Sequence, residues 1–196
     1  RNLKLVILWF GTYKNGAFGY APTWMGNESR YFRVAPNFPV ISPFCQAAWE
    51  ADAKAFVKLM TRIKEKDSTE NTVIMVQVEN EIGIDCGWKQ GRDQSAAATT
   101  AWNSAVPKEL MDYMINNESK MVPWLREVWV KNGKKTSGTW PQVFGTEYWE
   151  GQDIFTSFYM AKFVEKVASA GKAVYPLPMF VNDWLSPVSR PDINVK

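Results

Sequence analysis

The spacing of hydrophobic positions changes along this chain, and the changes mark out strands and helices in alternation. Leu3-Lys4-Leu5-Val6-Ile7-Leu8-Trp9-Phe10 is a nearly continuous apolar run closed by Gly11, the pattern of a strand buried on both faces in a parallel sheet. Residues 11–41 are rich in Gly, Pro, Asn and aromatics without a sustained period and predict a loop, of a length that is uncommon without a function. Ser42-Pro43 then supplies an N-cap and a first-turn proline. Phe44, Ala47, Ala48, Ala51, Ala55, Phe56, Leu59, Met60 and Ile63 follow at helical spacing as far as Lys66, which predicts a helix laid over a sheet. Val73-Ile74-Met75-Val76-Gln77-Val78 is a second β-rich run, and the order strand, helix, strand implies parallel pairing.

Downstream, residues 84–106 are small, polar and irregular. Helical patterns cover 107–116 and 119–131, with Gly133 as their stop, and 136–152 predicts another aromatic loop. A helix over 153–170 carries Ile154, Phe155, Phe158, Val164 and Val167 on its apolar side and Gly171 as its C-terminal signal. A third strand is expected within 173–181, weakened by Pro176 and Pro178 and ending on Asn182-Asp183-Trp184. Helices alternating with apolar strands argue for an α/β fold, and long loops after the strands suit a (β/α)8 TIM barrel with its active site at the strand ends. A whole barrel needs about 250 residues. The 196 residues are therefore expected to be part of a single catalytic barrel domain, an internal fragment covering about its third to fifth or sixth strand.

Composition narrows the chemistry. The chain has no histidine, so Ser-His-Asp and Cys-His triads and histidine-ligated zinc are excluded within it, and acid/base work falls to carboxylates, Lys or Tyr. The 23 basic and 20 acidic residues are spread along the chain and form no basic stripe, which argues against a nucleic-acid partner. The longest apolar run is too short to cross a bilayer, so no membrane partner is expected. Cys45 and Cys86 have no motif spacing, and their pairing stays open. Asn27-Glu28-Ser29 and Asn117-Glu118-Ser119 are glycosylation sequons.

The sharpest candidate is Glu79-Asn80-Glu81, where the second strand runs out into a loop. Period-two alternation would send Glu79 and Glu81 to one side and Asn80 to the other. A bare tripeptide of this kind is more simply explained as solvated or ion-paired carboxylates. The longer run Val73-Ile74-Met75-Val76-Gln77-Val78-Glu79-Asn80-Glu81-Ile82-Gly83, however, resembles the fourth-strand signature of glycoside hydrolase family 35, the β-galactosidases. Residues 5–16 (LVILWFGTYKNG), Tyr20-Ala21-Pro22-Thr23-Trp24, Ser42-Pro43-Phe44 and residues 171–182 (GKAVYPLPMFVN) are similar to a bacterial and fungal branch of that family.

The resemblance implies a retaining glycosidase of the (β/α)8 clan that releases terminal β-D-galactosyl residues. Glu81 would be the general acid/base, Asn80 would touch the sugar beside the cleaved bond, and Glu79 would lie in or beside the sugar pocket. Trp9, Lys14, Asn15 and Asn182 would add sugar contacts. No cofactor and no metal are expected, the partner is a β-galactoside or galactose-containing saccharide, and the site of action is secreted or periplasmic. The mechanism requires a second carboxylate about 5 to 5.5 Å from the first. In the clan this is a Glu on the seventh strand, so the nucleophile is expected outside the chain, and Glu147 in Gly145-Thr146-Glu147-Tyr148-Trp149 is a weaker candidate that barrel order places on a lid loop. Trp24, Trp88, Trp140, Trp149 and Trp184 compete as sugar platforms with ordinary packing. A glycosidase of different sugar specificity, and a non-catalytic carbohydrate-binding relative, are the competing readings.

Overall fold

A computed structural model describes residues 3–12, 21–35, 40–82 and 91–182. In chain order these form β1 (Leu5–Trp9), α1 (Thr23–Asn27), α2 (Gln46–Asp67), β2 (Val73–Val78), α3 (Ala96–Trp102), α4 (Lys108–Asn116), α5 (Pro123–Lys131), α6 (Trp140–Phe144), α7 (Asp153–Val174) and β3 (Met179–Phe180). A 3-10 turn covers Glu118–Lys120 and a π-helical turn Tyr148–Gln152. The described residues divide into two compact units, 3–82 with 159–182, and 91–158. No described helix is long and apolar enough to cross a membrane.

The first unit is a three-stranded parallel sheet in the order β1-β2-β3. Leu8 pairs with Gln77 and Gln77 with Phe180, while Trp9 pairs with Val78 and Val76 with Met179. Because side chains alternate along a strand, Ile7, Trp9, Val76, Val78 and Met179 fall on one face, where they join the core with Phe56, Met60 and Ile63 of α2 and Phe163, Val164 and Val167 of α7. Helix α7 lies so close to α2 that a side-chain carbon on Gly171 would collide with the Phe56 ring. Gly171 therefore sits inside α7, serving contact between helices, and does not end the helix as its sequence position predicts. The opposite face of the sheet exposes Val6, Leu8 and Phe180 and carries the buried Gln77 at its centre.

The expected (β/α)8 barrel is corrected by this topology. The described residues contain three strands, β1 and β3 are both edges, and β3 contributes only two residues. A barrel exists by abolishing its edges, and about eight strands are needed to curl a parallel sheet closed. The chain is a mixed α/β protein with a small open parallel sheet, and the placement of it as an internal barrel segment falls with the barrel.

The second unit is helical. Its core gathers Trp102, Trp140 and Phe155, with Phe155 edge-on to both indoles at centroid distances of 5.3 and 5.0 Å, an arrangement favoured by the ring quadrupoles. Helices α3 and α6 start at local caps. The Ser95 hydroxyl accepts from Ala98 N, and Thr139 with Gln142 forms a capping box that spans Pro141 in the first turn.

Candidate active site

Strand β2 stops because its backbone turns left-handed. Glu79 has φ 63° and Glu81 φ 46°, values that cost a residue with a Cβ roughly 1 to 2 kcal/mol each. Such strain persists only where surrounding contacts impose it, and it gathers at functional sites. It also overturns the expected alternation, since successive side chains keep to opposite faces only while the backbone stays extended.

The contacts that impose the turn come from three directions. Glu79 is fully buried, and its Oε1 lies 3.3 Å from the donating Thr12 N. Gln77 is also buried, and its Nε2 donates to Glu79 O at 2.9 Å and to Asn80 Oδ1 at 3.0 Å. Asn182, two residues past β3, closes the far side. Its Nδ2 donates to Asn80 Oδ1 at 3.2 Å, and its Oδ1 accepts from Glu81 N at 2.8 Å. Two donors on Asn80 Oδ1 fix which end of that amide is oxygen and leave Nδ2, a donor, for another partner.

Asp52 comes from α2, the helix between β1 and β2. It is 5% exposed in a row that otherwise reads Ala48, Phe56, Met60 and Ile63. Its Oδ1 accepts from Trp9 Nε1 and its Oδ2 from Thr12 N, both at 2.8 Å. Thr12 N is thus shared between Asp52 and Glu79. Gly11 makes the convergence feasible, because a Cβ there would lie 2.5 Å from both Asp52 Oδ1 and Glu79 Oε1.

Glu81 is partly buried, and its Oε2 is shut off from solvent without a hydrogen-bond partner. A carboxylate oxygen in that position carries a desolvation cost that no hydrogen bond among the described residues repays.

Of the sequence-predicted residues, the structure brings Glu79, Asn80, Glu81, Asn182 and Trp9 to this one end of the sheet. Trp9 arrives differently from expectation. Its half-buried indole is anchored by Asp52 and packs against Phe56 at 5.5 Å. Lys14, Asn15, Asp183, Trp88, Trp184 and Cys86 lie outside the described residues. Glu147 is exposed in the second unit, at the start of the π-helical turn, and with the barrel gone the order argument that made it a lid residue is gone too. Trp140 is fully buried, which ends its candidacy as a sugar platform. Trp24 is 46% exposed with its ring edge-on to Tyr31. Cys45 is a buried free thiol that donates to Arg30 O.

Sequence reading missed Asp52, Gly11 and Thr12. The signal for Asp52 was present, since a carboxylate interrupts the i, i+4 row 48, 56, 60 of an otherwise apolar helix face. Asp52 and Glu79 are two carboxylates, and among the described residues no group of three His, Cys, Asp or Glu could hold a metal ion. Compared with known proteins, the chain matches no family model and no curated protein.

Proposed function

We propose that Glu81 is the general acid/base of a retaining glycoside hydrolase acting on terminal β-D-galactosyl residues. The observation that carries this reading is the state of the Glu81 side chain, which has a buried, unpartnered Oε2 on a backbone held left-handed and tied down by Asn182. Structural carboxylates at strand ends are solvated or paired, whereas one oxygen of this partly buried carboxylate is neither. Its resemblance in sequence context to the family 35 signature supplies the substrate class.

Cleavage of an acetal passes through an oxocarbenium-like state in which the leaving oxygen needs a proton. Glu81 would deliver that proton and then take one from the water that completes turnover. Asn80 Nδ2 would donate to the ring hydroxyl next to the anomeric carbon, where the contact tightens as charge develops. The buried Gln77, with its two hydrogen bonds, and Asn182 set the angle of that amide. The nucleophilic carboxylate is assigned to no described residue.

The test compares leaving groups. Glu81→Ala should lower kcat/KM for lactose by roughly 10²- to 10⁴-fold, because an alkoxide leaves badly without a proton. A dinitrophenyl galactoside, whose leaving group needs no proton, should lose far less, and azide should restore turnover of the activated substrate as the β-galactosyl azide. Wild-type rates on lactose in the Glu81→Ala protein would sink the assignment.

A further inference from the structure

The residue that ties this site together is on neither strand that carries it. We propose that Asp52, on the helix between them, is a positioning residue that sets the aim of Glu81 through the turn after β1; the inference rests on the glycosidase reading above.

The chain of contacts is short. Asp52 is buried and accepts two hydrogen bonds from the end of β1, one from the Trp9 indole and one from the Thr12 backbone, each at 2.8 Å. The Thr12 N–H that Asp52 holds is also the donor that reaches Glu79 Oε1 at 3.3 Å. Glu79 opens the left-handed turn and Glu81 closes it. Moving Asp52 therefore shifts Thr12 N, whose N–H is divided between Asp52 and Glu79, and so alters one of the contacts that hold Glu79 at the start of the turn that presents Glu81. Gly11 shows how tightly the parts are set, since the gap between the Asp52 and Glu79 oxygens has no room for one added carbon. A carboxylate that only filled core space would be replaced here by the apolar side chains that occupy the rest of its row. Two charge-assisted acceptor contacts to β1 explain its presence.

Asp52→Asn separates positioning from bulk stability, because the amide keeps the shape and loses one acceptor. Its Oδ1 can still accept from one of the two N–H groups, while its Nδ2 then faces the other, donor against donor. If Asp52 positions the acid/base, kcat/KM for lactose falls at least tenfold while that for the dinitrophenyl galactoside falls less than threefold. Trp9→Phe removes the indole donor, so Asp52→Asn/Trp9→Phe should recover part of the lactose loss relative to Asp52→Asn alone, a coupling that a double-mutant cycle reads directly. Should Asp52→Asn not fold, Trp9→Phe alone, which keeps the charge and loses one of its two donors, should still lower lactose turnover several-fold more than turnover of the activated substrate. Equal losses on both substrates, or no loss, overturn the inference while leaving Glu81 in place. A wild-type protein that hydrolyses neither galactoside overturns the glycosidase reading and this inference with it.

Discussion

Replacing Gly11 with alanine tests the crowding at the strand ends directly. The added methyl carbon would meet Asp52 Oδ1 and Glu79 Oε1 at 2.5 Å, with Asp52 Oδ2 as a third neighbour, well inside the closest approach of carbon and oxygen. Neither carboxylate can swing into solvent, because Asp52 is 5% exposed and Glu79 not at all. Forcing a methyl into a filled site costs about 1 to 3 kcal/mol. Displacing the acceptors from Thr12 N loses a hydrogen bond to a charged group, worth about 1.5 to 3 kcal/mol, while the stiffer unfolded chain returns about 0.4 to 1 kcal/mol. The net expectation is a loss of roughly 2 to 5 kcal/mol. Native-state hydrogen exchange at the β1 and β2 amides reads this on the first unit alone, and urea unfolding gives the same quantity from the midpoint if the slope is unchanged. A Gly11→Ala protein within about 0.5 kcal/mol of wild type would refute the close approach of Asp52 and Glu79, and with it the link from α2 to the Glu79–Glu81 turn.

Other substitutions test other parts of the fold. Gly133→Ala meets no atom within 4 Å but sits at φ +83°, so it should cost only the backbone term, about 1 kcal/mol in urea unfolding. Glu81→Gly should abolish lactose hydrolysis yet raise stability by roughly 1 kcal/mol, since it removes both the left-handed strain and a buried unpaired oxygen; a less stable variant would argue that Glu81 is structural. Ser95→Ala should destabilise α3 by about 1 kcal/mol through loss of its N-cap, seen as faster exchange of the first α3 amides. Asp67 accepts from Val73 N and Thr72 N, and the Val73 bond leads in holding its carboxyl below the ordinary 3.8, against the opposing pull of desolvation. A lowered carboxylate pKa in the folded protein means stability that is present above pH 3.8 and lost as pH falls from there through the lowered value. Asp67→Asn should flatten the urea midpoint against pH in that acid range.

The elements with long, high-contrast patterns were legible in the sequence. The run 5–9 and the run 73–78 are strands, α2 and α4 follow their apolar spacing, and the order strand, helix, strand does give parallel pairing. Short helices inside the two aromatic loops were not legible by period, because five residues of α1 or α6 hardly complete one turn and a half. Helix α6 did carry a readable capping box, Thr139 to Gln142. At the start of α2 the cap signal misled by three residues, as Ser42 Oγ accepts from Phe44 N in a turn that precedes the helix. The strand ends were legible as a place and not as a geometry. Glu is a poor residue for a left-handed backbone, so local preference points away from the conformation that Thr12, Gln77 and Asn182 impose at Glu79 and Glu81. Closure into a barrel was the inference that topology overturned, for alternation of elements reveals parallel pairing without saying how many strands pair.

The sheet face that exposes apolar side chains among the described residues has a bearing on the handling of the protein. Val6 and Leu8 of β1 and, on the far side of Gln77, Phe180 of β3 are exposed there, and β1 is an edge strand among the described residues. Proteins ordinarily blunt such an edge with a projecting lysine. Here Lys4, at the head of β1, is folded back onto Asn71 O at 2.6 Å, so its charge is committed within the molecule. Colloidal behaviour and internal stability are therefore separate properties of this chain: solvent-quality effects such as salt, detergent and concentration act on the exposed apolar side chains of β1 and β3, while the Asp52 and Glu79 cluster bears on how firmly the strands are held.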